Sequence, residues 1–186
     1  MAENKILNWG PVSLVRRNHG LEHATLNLLA REFPSRAFAG HSDHKGFWII
    51  GDISTDKLLE TVQEALRRMN EGEKKLALHA NCGTNYVTAG VIAGTFAWLS
   101  TLVGGNTFKK KFERWPLLVT IITASLVAAQ PLGPKVQAKI STSGEPGNLK
   151  VRQIVRYERR GPVLHHILTA DVTPEESSSS TINTES

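Results

Sequence analysis

Two histidines and a glutamate stand at metal-site spacing in N-H-G-L-E-H-A-T, residues 18–25. On a helix, His19, Glu22 and His23 project from one side, because residues three and four positions apart are neighbours. Two imidazoles on such a face can hold Zn²⁺, and a glutamate that is not a ligand can take a proton from water on the metal. The spacing therefore predicts metal ligands at His19 and His23 and a general base at Glu22.

A second pair of metal-ligating side chains lies in L-H-A-N-C-G-T-N, which holds His79 and Cys82. A catalytic zinc site needs three protein ligands and an open position, whereas four protein ligands close the site and make it structural. Imidazole and thiolate both suit zinc. We therefore predict a zinc site made of His19, His23 and one or both of His79 and Cys82.

Other assignments of these side chains stay open. His41 and His44 in H-S-D-H are a further candidate pair, or they are solvated turn residues. His165 and His166 are adjacent, so in a strand they face opposite sides and at most one can join a shared site. Cys82 could instead be a nucleophile with a histidine as its base. The whole cluster could also be a polar network without metal.

Residues 1–85 are predicted to form a small α+β head with the order helix, strand, strand, helix. The first helix runs from about residue 14 to 33, where Pro34 ends it, and Ser54 or Thr55 caps the second, which ends before Gly72. Between them, A-F-A-G and G-F-W-I-I-G-D-I have the pattern of a β-hairpin. The F-W-I-I strand is either a core strand or an edge to which an extended peptide adds.

Residues 86–105 and 115–133 are free of charged side chains, and each is close to the roughly 20 residues that cross a bilayer as a helix. The loop 106–114 between them carries four basic residues and one acidic residue. These features predict a two-helix transmembrane hairpin; a pair of buried core helices is the alternative. Small residues at Gly90 and Gly94 predict a close helix contact.

The rest of the chain is predicted to be a β element at 134–172, followed by a disordered polar tail at 173–186. Two strands around Arg160-Gly161-Pro162 would form a hairpin that can extend the sheet of the head. The fold class is therefore membrane-anchored α+β.

The net charge is +5, and because much of the basic excess lies beside the spans, we assign it to lipid headgroups and not to nucleic acid. The expected partners are the bilayer and a protein partner or second copy. The expected location is the bacterial inner membrane, with both termini in the cytoplasm. The single cysteine excludes an intrachain disulfide.

Three segments together resemble a family of uncharacterised bacterial membrane proteins with two spans, found notably in cyanobacteria and green filamentous bacteria. They are H-G-L-E-H-A-T, G-F-W-I-I-G-D-I, and L-H-A-N-C-G-T-N followed by an apolar span, and the resemblance covers roughly residues 14–170. It implies a membrane protein and brings no activity with it.

The H-x-x-E-H segment alone resembles the inverted zinc proteases, in which a distant downstream glutamate is the third ligand; here Glu71 and Glu73 are the residues nearest to that role. We therefore expect a small membrane-bound metallohydrolase or peptidase. The alternative is a non-catalytic assembly or scaffold protein with a structural His/Glu/Cys cluster.

Overall fold

The computed structural model describes residues 6–102, 107–158, 161–172 and 183–185. The chain divides into one unit made of residues 1–79 with 138–186 and a second made of residues 80–137. The first unit contains helix α1 (Gly10–Glu32), strands β1 (Ala39–Ser42) and β2 (Gly46–Ile50), helix α2 (Thr55–Asn70), a 3-10 helix (Lys74–Ala77), and strands β3 (Leu149–Tyr157), β4 (Leu164–Asp171) and β5 (Asn183–Glu185).

The helix-strand-strand-helix order predicted for the head is the order observed, with one boundary displaced. α1 begins at Gly10, about four residues before the predicted start, because Pro11 is favourable in a first helical turn, where its missing N–H has no helical partner. It ends at Glu32, before Pro34. The hydroxyl of Ser54 caps α2 by accepting from the backbone N–H of Lys57, and Gly72 follows the helix with φ of 100°.

The sheet has the order β1-β2-β4-β3-β5, in which the first four strands are antiparallel and β5 runs parallel to β3. The C-terminal hairpin thus extends the sheet of the head, as the sequence predicted. β2, which carries F-W-I-I, pairs with β1 on one side and β4 on the other. The alternative in which this strand is an edge for peptide addition is wrong.

One face of the sheet packs against both helices and forms the core. Phe47 and Ile49 of β2 lie opposite Ile167 and His165 of β4, and all four side chains are buried. Alternate residues of a strand point to one face, which explains why these four share it. The helices contribute Leu21, Leu29, Leu58 and Val62 to the same core.

The second unit is helical and contains α3 (Gly83–Leu102), α4 (Phe108–Glu113), α5 (Trp115–Ala129) and α6 (Leu132–Val136). α3 packs against α5 and α6. Ala93, Ser125 and Ala129 are the buried side chains of α3 and α5. Gly90 and Gly94 are exposed, with open space where a Cβ would lie, so the predicted glycine contact is wrong.

The predicted spans coincide with α3 and with α5 plus part of α6, except that residues 103–106 lie outside the described residues. Within the described part of the chain, no single helix is both long and apolar enough to cross a membrane. One pair bent by 46°, Trp115–Ala129 with Leu132–Ser141, meets the requirements of length and composition.

The region predicted as a β element starts differently from the prediction. α6 and a π-helical turn (Gln137–Ser141) occupy its first residues, and the strands begin only at Leu149. Of the predicted disordered tail, Asn183–Glu185 forms β5, and residues 173–182 and 186 lie outside the described residues.

Candidate metal centre

α1 brings the two predicted histidine ligands together on one face. His19 and His23 are separated by one helical turn, and their ring centroids lie 4.3 Å apart in an edge-to-face arrangement. His23 is buried, with 2% of its surface exposed, and His19 is partly buried. The helical prediction for this segment therefore places both imidazoles in one small space.

Each of these imidazoles is oriented by a backbone carbonyl. Nδ1 of His19 lies 2.9 Å from the carbonyl oxygen of Ser141, and Nδ1 of His23 lies 2.8 Å from that of Ala77. A carbonyl oxygen only accepts, so Nδ1 donates in both rings, and in the neutral tautomer the lone pair lies on Nε2. Metal-binding histidines are oriented in the same way, by a hydrogen bond from the other ring nitrogen.

Cys82 is the one predicted ligand that belongs to the second unit. It is buried and follows His79, the last residue of this part of the first unit, by three positions. Within the first unit the structure brings His19 and His23 together, and Cys82 stays a predicted ligand.

His79 lies beside the histidine pair of α1. Its ring centroid is 5.6 Å from that of His23, and its Nδ1 lies 2.9 Å from Oδ1 of Asn27. The amide nitrogen of Asn27 donates to the carbonyls of Leu76 and Leu78, each at 2.9 Å. Asn27 thereby attaches the segment that leads to His79 to α1.

Asn27 was missed by the sequence reasoning, although a signal was present. It lies four residues after His23 and therefore on the same helical face, where a partly buried amide needs partners. The carbonyls that orient His19 and His23 left no such signal, because any residue type supplies a backbone carbonyl.

Glu22 is buried beside the histidines but is directed toward the sheet. The hydroxyl of Ser42 on β1 donates to Oε2 of Glu22, and a Cβ at Gly40 would collide with Oε1. Only 4% of the residue is exposed. The structure therefore brings His19 and His23 together and places the Glu22 carboxylate next to them, against β1.

Asn18 fixes the orientation of α1 on the sheet. Its amide nitrogen donates to the carbonyl of Asp43 at 3.0 Å, and its amide oxygen accepts from the hydroxyl of Thr169 at 2.6 Å. Asn18 and Thr169 are both buried, with no more than 8% of either exposed. Because Asn18 and Glu22 are one turn apart, this pair of hydrogen bonds also fixes the face that presents Glu22 to β1.

A close approach of the backbone holds the Ser141 carbonyl near His19. Gly20 contacts the segment after the π-helical turn, where a Cβ would overlap the carbonyl oxygen of Ser143. The N–H of Ser143 donates to the carbonyl of Arg16 at 2.9 Å. The guanidinium of Arg16 donates to the carbonyls of Ile140 and Thr142 at 2.7 and 3.0 Å. This segment is thus attached to α1 on both sides of His19.

The other candidate histidines lie elsewhere. His41 and His44 are both exposed, His41 on β1 and His44 in the turn that follows it. His165 is fully buried on the helix side of the sheet, where its Nε2 lies 3.2 Å from the hydroxyl of Thr55. Burial, and then the charge of Arg156, lower the pKa of His165.

His166 lies on the opposite face of the sheet, as predicted for an adjacent strand residue. Its ring stacks on Trp48 at 3.9 Å, and its Nε2 lies 3.5 Å from Oδ2 of Asp43. Burial lowers the pKa of His166, while Asp43 acts in the opposite direction. Neither His165 nor His166 reaches the histidines of α1.

Glu71 and Glu73, the two glutamates considered as the third metal ligand of an inverted zinc protease, form ion pairs. Glu71 lies 2.6 Å from Arg67, and Glu73 lies 2.6 Å from Arg68. The hydrogen bond from Arg68 lowers the pKa of Glu73. These residues are at the end of α2, where their carboxylates are paired with the two arginines.

The fold and the site define a mixed α+β protein whose first helix carries a pair of histidines, each oriented by a backbone carbonyl. The chain belongs to the family described as a domain of unknown function, DUF6391, whose model matches residues 14–154.

An uncharacterised protein of Picosynechococcus sp. is 36% identical to it over 99 residues, which is 46% of this chain and 48% of that relative. The alignment thus spans about half the length of the relative. No solved structure matches the chain.

Proposed function

We propose that the protein is a small zinc-dependent hydrolase acting on peptides, with His19, His23 and Cys82 as ligands. The observation that carries the proposal is the orientation of the two imidazoles, each with Nδ1 committed to a backbone carbonyl and Nε2 as the ligand atom. Two histidines fixed in this way, together with the cysteine that follows His79 in sequence, give three protein ligands of the types that zinc prefers.

The spacing of the ligand atoms supports the proposal. Zinc bonds of about 2.0–2.1 Å to nitrogen and about 2.3 Å to sulfur place tetrahedral ligand atoms about 3.4–3.6 Å apart. The ring centroids of His19 and His23 lie 4.3 Å apart, so small side-chain rotations bring the two imidazoles to one ion. Three ligands leave a fourth position for water, and bound zinc supplies Lewis-acid activation of that water.

Glu22 is the residue we assign as the general base. It neighbours His23 in sequence and lies on the adjoining part of the α1 surface, and Ser42 holds its carboxylate in place through a hydrogen bond to Oε2. A carboxylate of this kind acts by accepting a proton within hydrogen-bond reach. Its burial excludes bulk water, which strengthens electrostatic interactions at the site.

The second candidate is a non-catalytic role in which the cluster is structural. It is favoured by His79, whose ring lies 5.6 Å from that of His23 and whose Nδ1 is committed to Asn27, so that Nε2 carries the lone pair in the neutral tautomer. If His79 turned toward the metal, four ligands would close the site. The protein would then be a scaffold or assembly protein.

We further propose that the second unit associates with the inner membrane and that both termini are cytoplasmic. Large apolar side chains are exposed along α3 and α5, among them Val87, Val91, Trp98, Leu117 and Val127. Contiguous exposed apolar surface of this kind marks a membrane or protein interface. α4 adds the exposed cations Lys109 and Lys110, which suit anionic headgroups. A second copy of the chain is the other partner this surface suits.

The test uses full-length protein purified in detergent and loaded with zinc. Elemental mass spectrometry should find about one zinc per chain in the wild type and little in His23→Ala, while His44→Ala, outside the group, keeps it. A quenched-fluorescence pool of random decapeptides then measures hydrolysis. Glu22→Gln should retain zinc and lose activity by about 10²–10⁴-fold. Stoichiometric zinc without hydrolysis in the wild type would favour the structural role, and wild type that binds no zinc would overturn the metal site.

A further inference from the structure

The free edge of β1 is the part of the sheet that lies closest to Glu22. β1 is at one end of the strand order and pairs with β2 on one side; no described strand pairs with its other side. Its residues alternate between exposed and half-buried. The half-buried positions are Gly40 and Ser42, which are the two residues in contact with Glu22.

The backbone groups that face this free edge belong to the same two residues. The N–H of Asp43 donates to the carbonyl of Gly46, so Asp43 and Gly46 form a hydrogen-bonded pair across the hairpin. Such pairs alternate along an antiparallel ladder, and the register Ser42↔Phe47 and His41↔Trp48 makes His41 the next residue bonded to β2. The backbone N–H and carbonyl groups of Gly40 and Ser42 therefore point away from β2.

The surface of α1 that carries His19 and His23 lies on the side of the first unit where β1 has its free edge. At about 100° per residue, His19 and His23 lie about 60° and 100° from Glu22 in one direction round the helix. Glu32, which pairs with Lys57 of α2, lies about 80° from Glu22 in the other direction. α1 packs under β1 and β2 whereas α2 packs against β3, so the histidines lie toward the free edge of β1.

We propose that this edge binds an extended peptide by β-strand addition, which makes the substrate class of the proposed hydrolase an unfolded polypeptide segment. That the bound peptide is a substrate rests on the proposed function. A strand paired to β1 exchanges hydrogen bonds with Gly40 and Ser42, and its backbone runs past Glu22 toward the histidine pair. The occupant is a peptide because alternate unpaired N–H and carbonyl groups complement another backbone.

The absence of a side chain at Gly40 fits this role. A Cβ there would collide with the Glu22 carboxylate, so glycine allows the strand backbone to lie directly on the carboxylate. Glu22 is consequently in reach of the edge that would receive the peptide. The sequence left F-W-I-I of β2 open as an edge for peptide addition, and we place the peptide on the neighbouring strand, β1.

The experiment measures binding of a fluorescein-labelled pool of random decapeptides to the full-length protein by fluorescence polarisation. Ser42→Pro removes the outward N–H, and Ser42→Ala is its matched variant, since both lack the hydroxyl. Proline is tolerated at edge positions whose N–H faces away from the sheet. We expect Ser42→Pro to bind about tenfold or more weakly than Ser42→Ala, because it loses a backbone hydrogen bond and presents a ring to the incoming strand.

A second probe leaves the protein unchanged. A pool of the same composition with every other amide N-methylated should bind the wild type about tenfold or more weakly, because it lacks the donors of one strand edge. Equal binding of the two pools, or of the two Ser42 variants, would overturn strand addition at β1.

Binding to His23→Ala separates the two proposals. If His23→Ala, which lacks zinc, still binds the peptides, strand addition at β1 is supported independently of the zinc site. Zinc bound by wild type that shows no peptide binding overturns only the edge.

Discussion

Replacing Gly20 by alanine tests the backbone approach that orients His19. Gly20 lies inside α1, where alanine is favoured over glycine by about 1 kcal/mol in the absence of contacts. Here a Cβ would overlap the carbonyl oxygen of Ser143 and lie 3.1 Å from its carbonyl carbon, and it would contact the Cβ of Ala77 at 3.4 Å. Because a backbone carbonyl is involved, the segment after the π-helical turn must move away from α1.

The expected loss of stability follows from these two opposing effects. Overpacking a close contact costs about 1–3 kcal/mol, and the gain in helix propensity offsets up to about 1 kcal/mol of it. With the full offset, we expect Gly20→Ala to lower the free energy of unfolding by up to about 2 kcal/mol. Moving the segment also moves the Ser141 carbonyl away from Nδ1 of His19. Loss of such an orienting hydrogen bond lowers metal affinity by about 10–100-fold.

The assay combines urea unfolding of metal-free protein with zinc affinity measured by competition against a chromophoric chelator. Gly10→Ala is the matched control, since Gly10 belongs to the same helix and has open space where a Cβ would lie. We expect the control to bind zinc like the wild type. A Gly20→Ala protein with unchanged stability and unchanged zinc affinity would refute the argument that this contact orients His19.

Two further predictions concern the sheet that supports the site. Asn18→Ala should lower the free energy of unfolding by about 1–3 kcal/mol, because it leaves the buried hydroxyl of Thr169 and the carbonyl of Asp43 without their hydrogen bonds to α1. Urea unfolding measures this loss. A loss below about 0.5 kcal/mol would contradict the role assigned to Asn18. Stability should also fall as pH decreases below 6.5, the ordinary histidine pKa, since burial lowers the pKa of His165 and His166 and the unfolded chain then binds more protons. Unfolding curves measured at pH 7.5 and 5.5 in the presence of a chelator test this. The free energy of unfolding of His166→Phe should depend less steeply on pH. A wild type that is equally or more stable at the lower pH would refute the prediction.

The local features of the site were predictable because short sequence patterns determine them. H-x-x-E-H gives the face shared by His19 and His23, Pro34 ends the helix, and Ser54 caps α2. The alternation in the C-terminal strands also predicted that they could extend the sheet. Each of these inferences depends on residues within a few positions of one another.

The parts that could not be predicted depend on contacts between distant residues. The carbonyl that orients His19 is 122 residues away in sequence, and any residue type could supply it. The position of His79 beside His23 depends on how Asn27 holds the segment after α2. The placement of β4 beside β2, which makes β1 the edge strand, is a matter of topology that alternation does not encode.

X-ray absorption at the zinc edge, on full-length protein loaded with one equivalent of zinc, tests the metal centre most directly. For an open site of His19, His23 and Cys82 we expect one sulfur at about 2.3 Å and three nitrogen or oxygen atoms at about 2.0–2.1 Å, two of them imidazole nitrogens. Cys82→Ala should remove the sulfur. A first shell without sulfur in the wild type, or one in which imidazoles and sulfur fill all four positions, would contradict an open His19, His23 and Cys82 site.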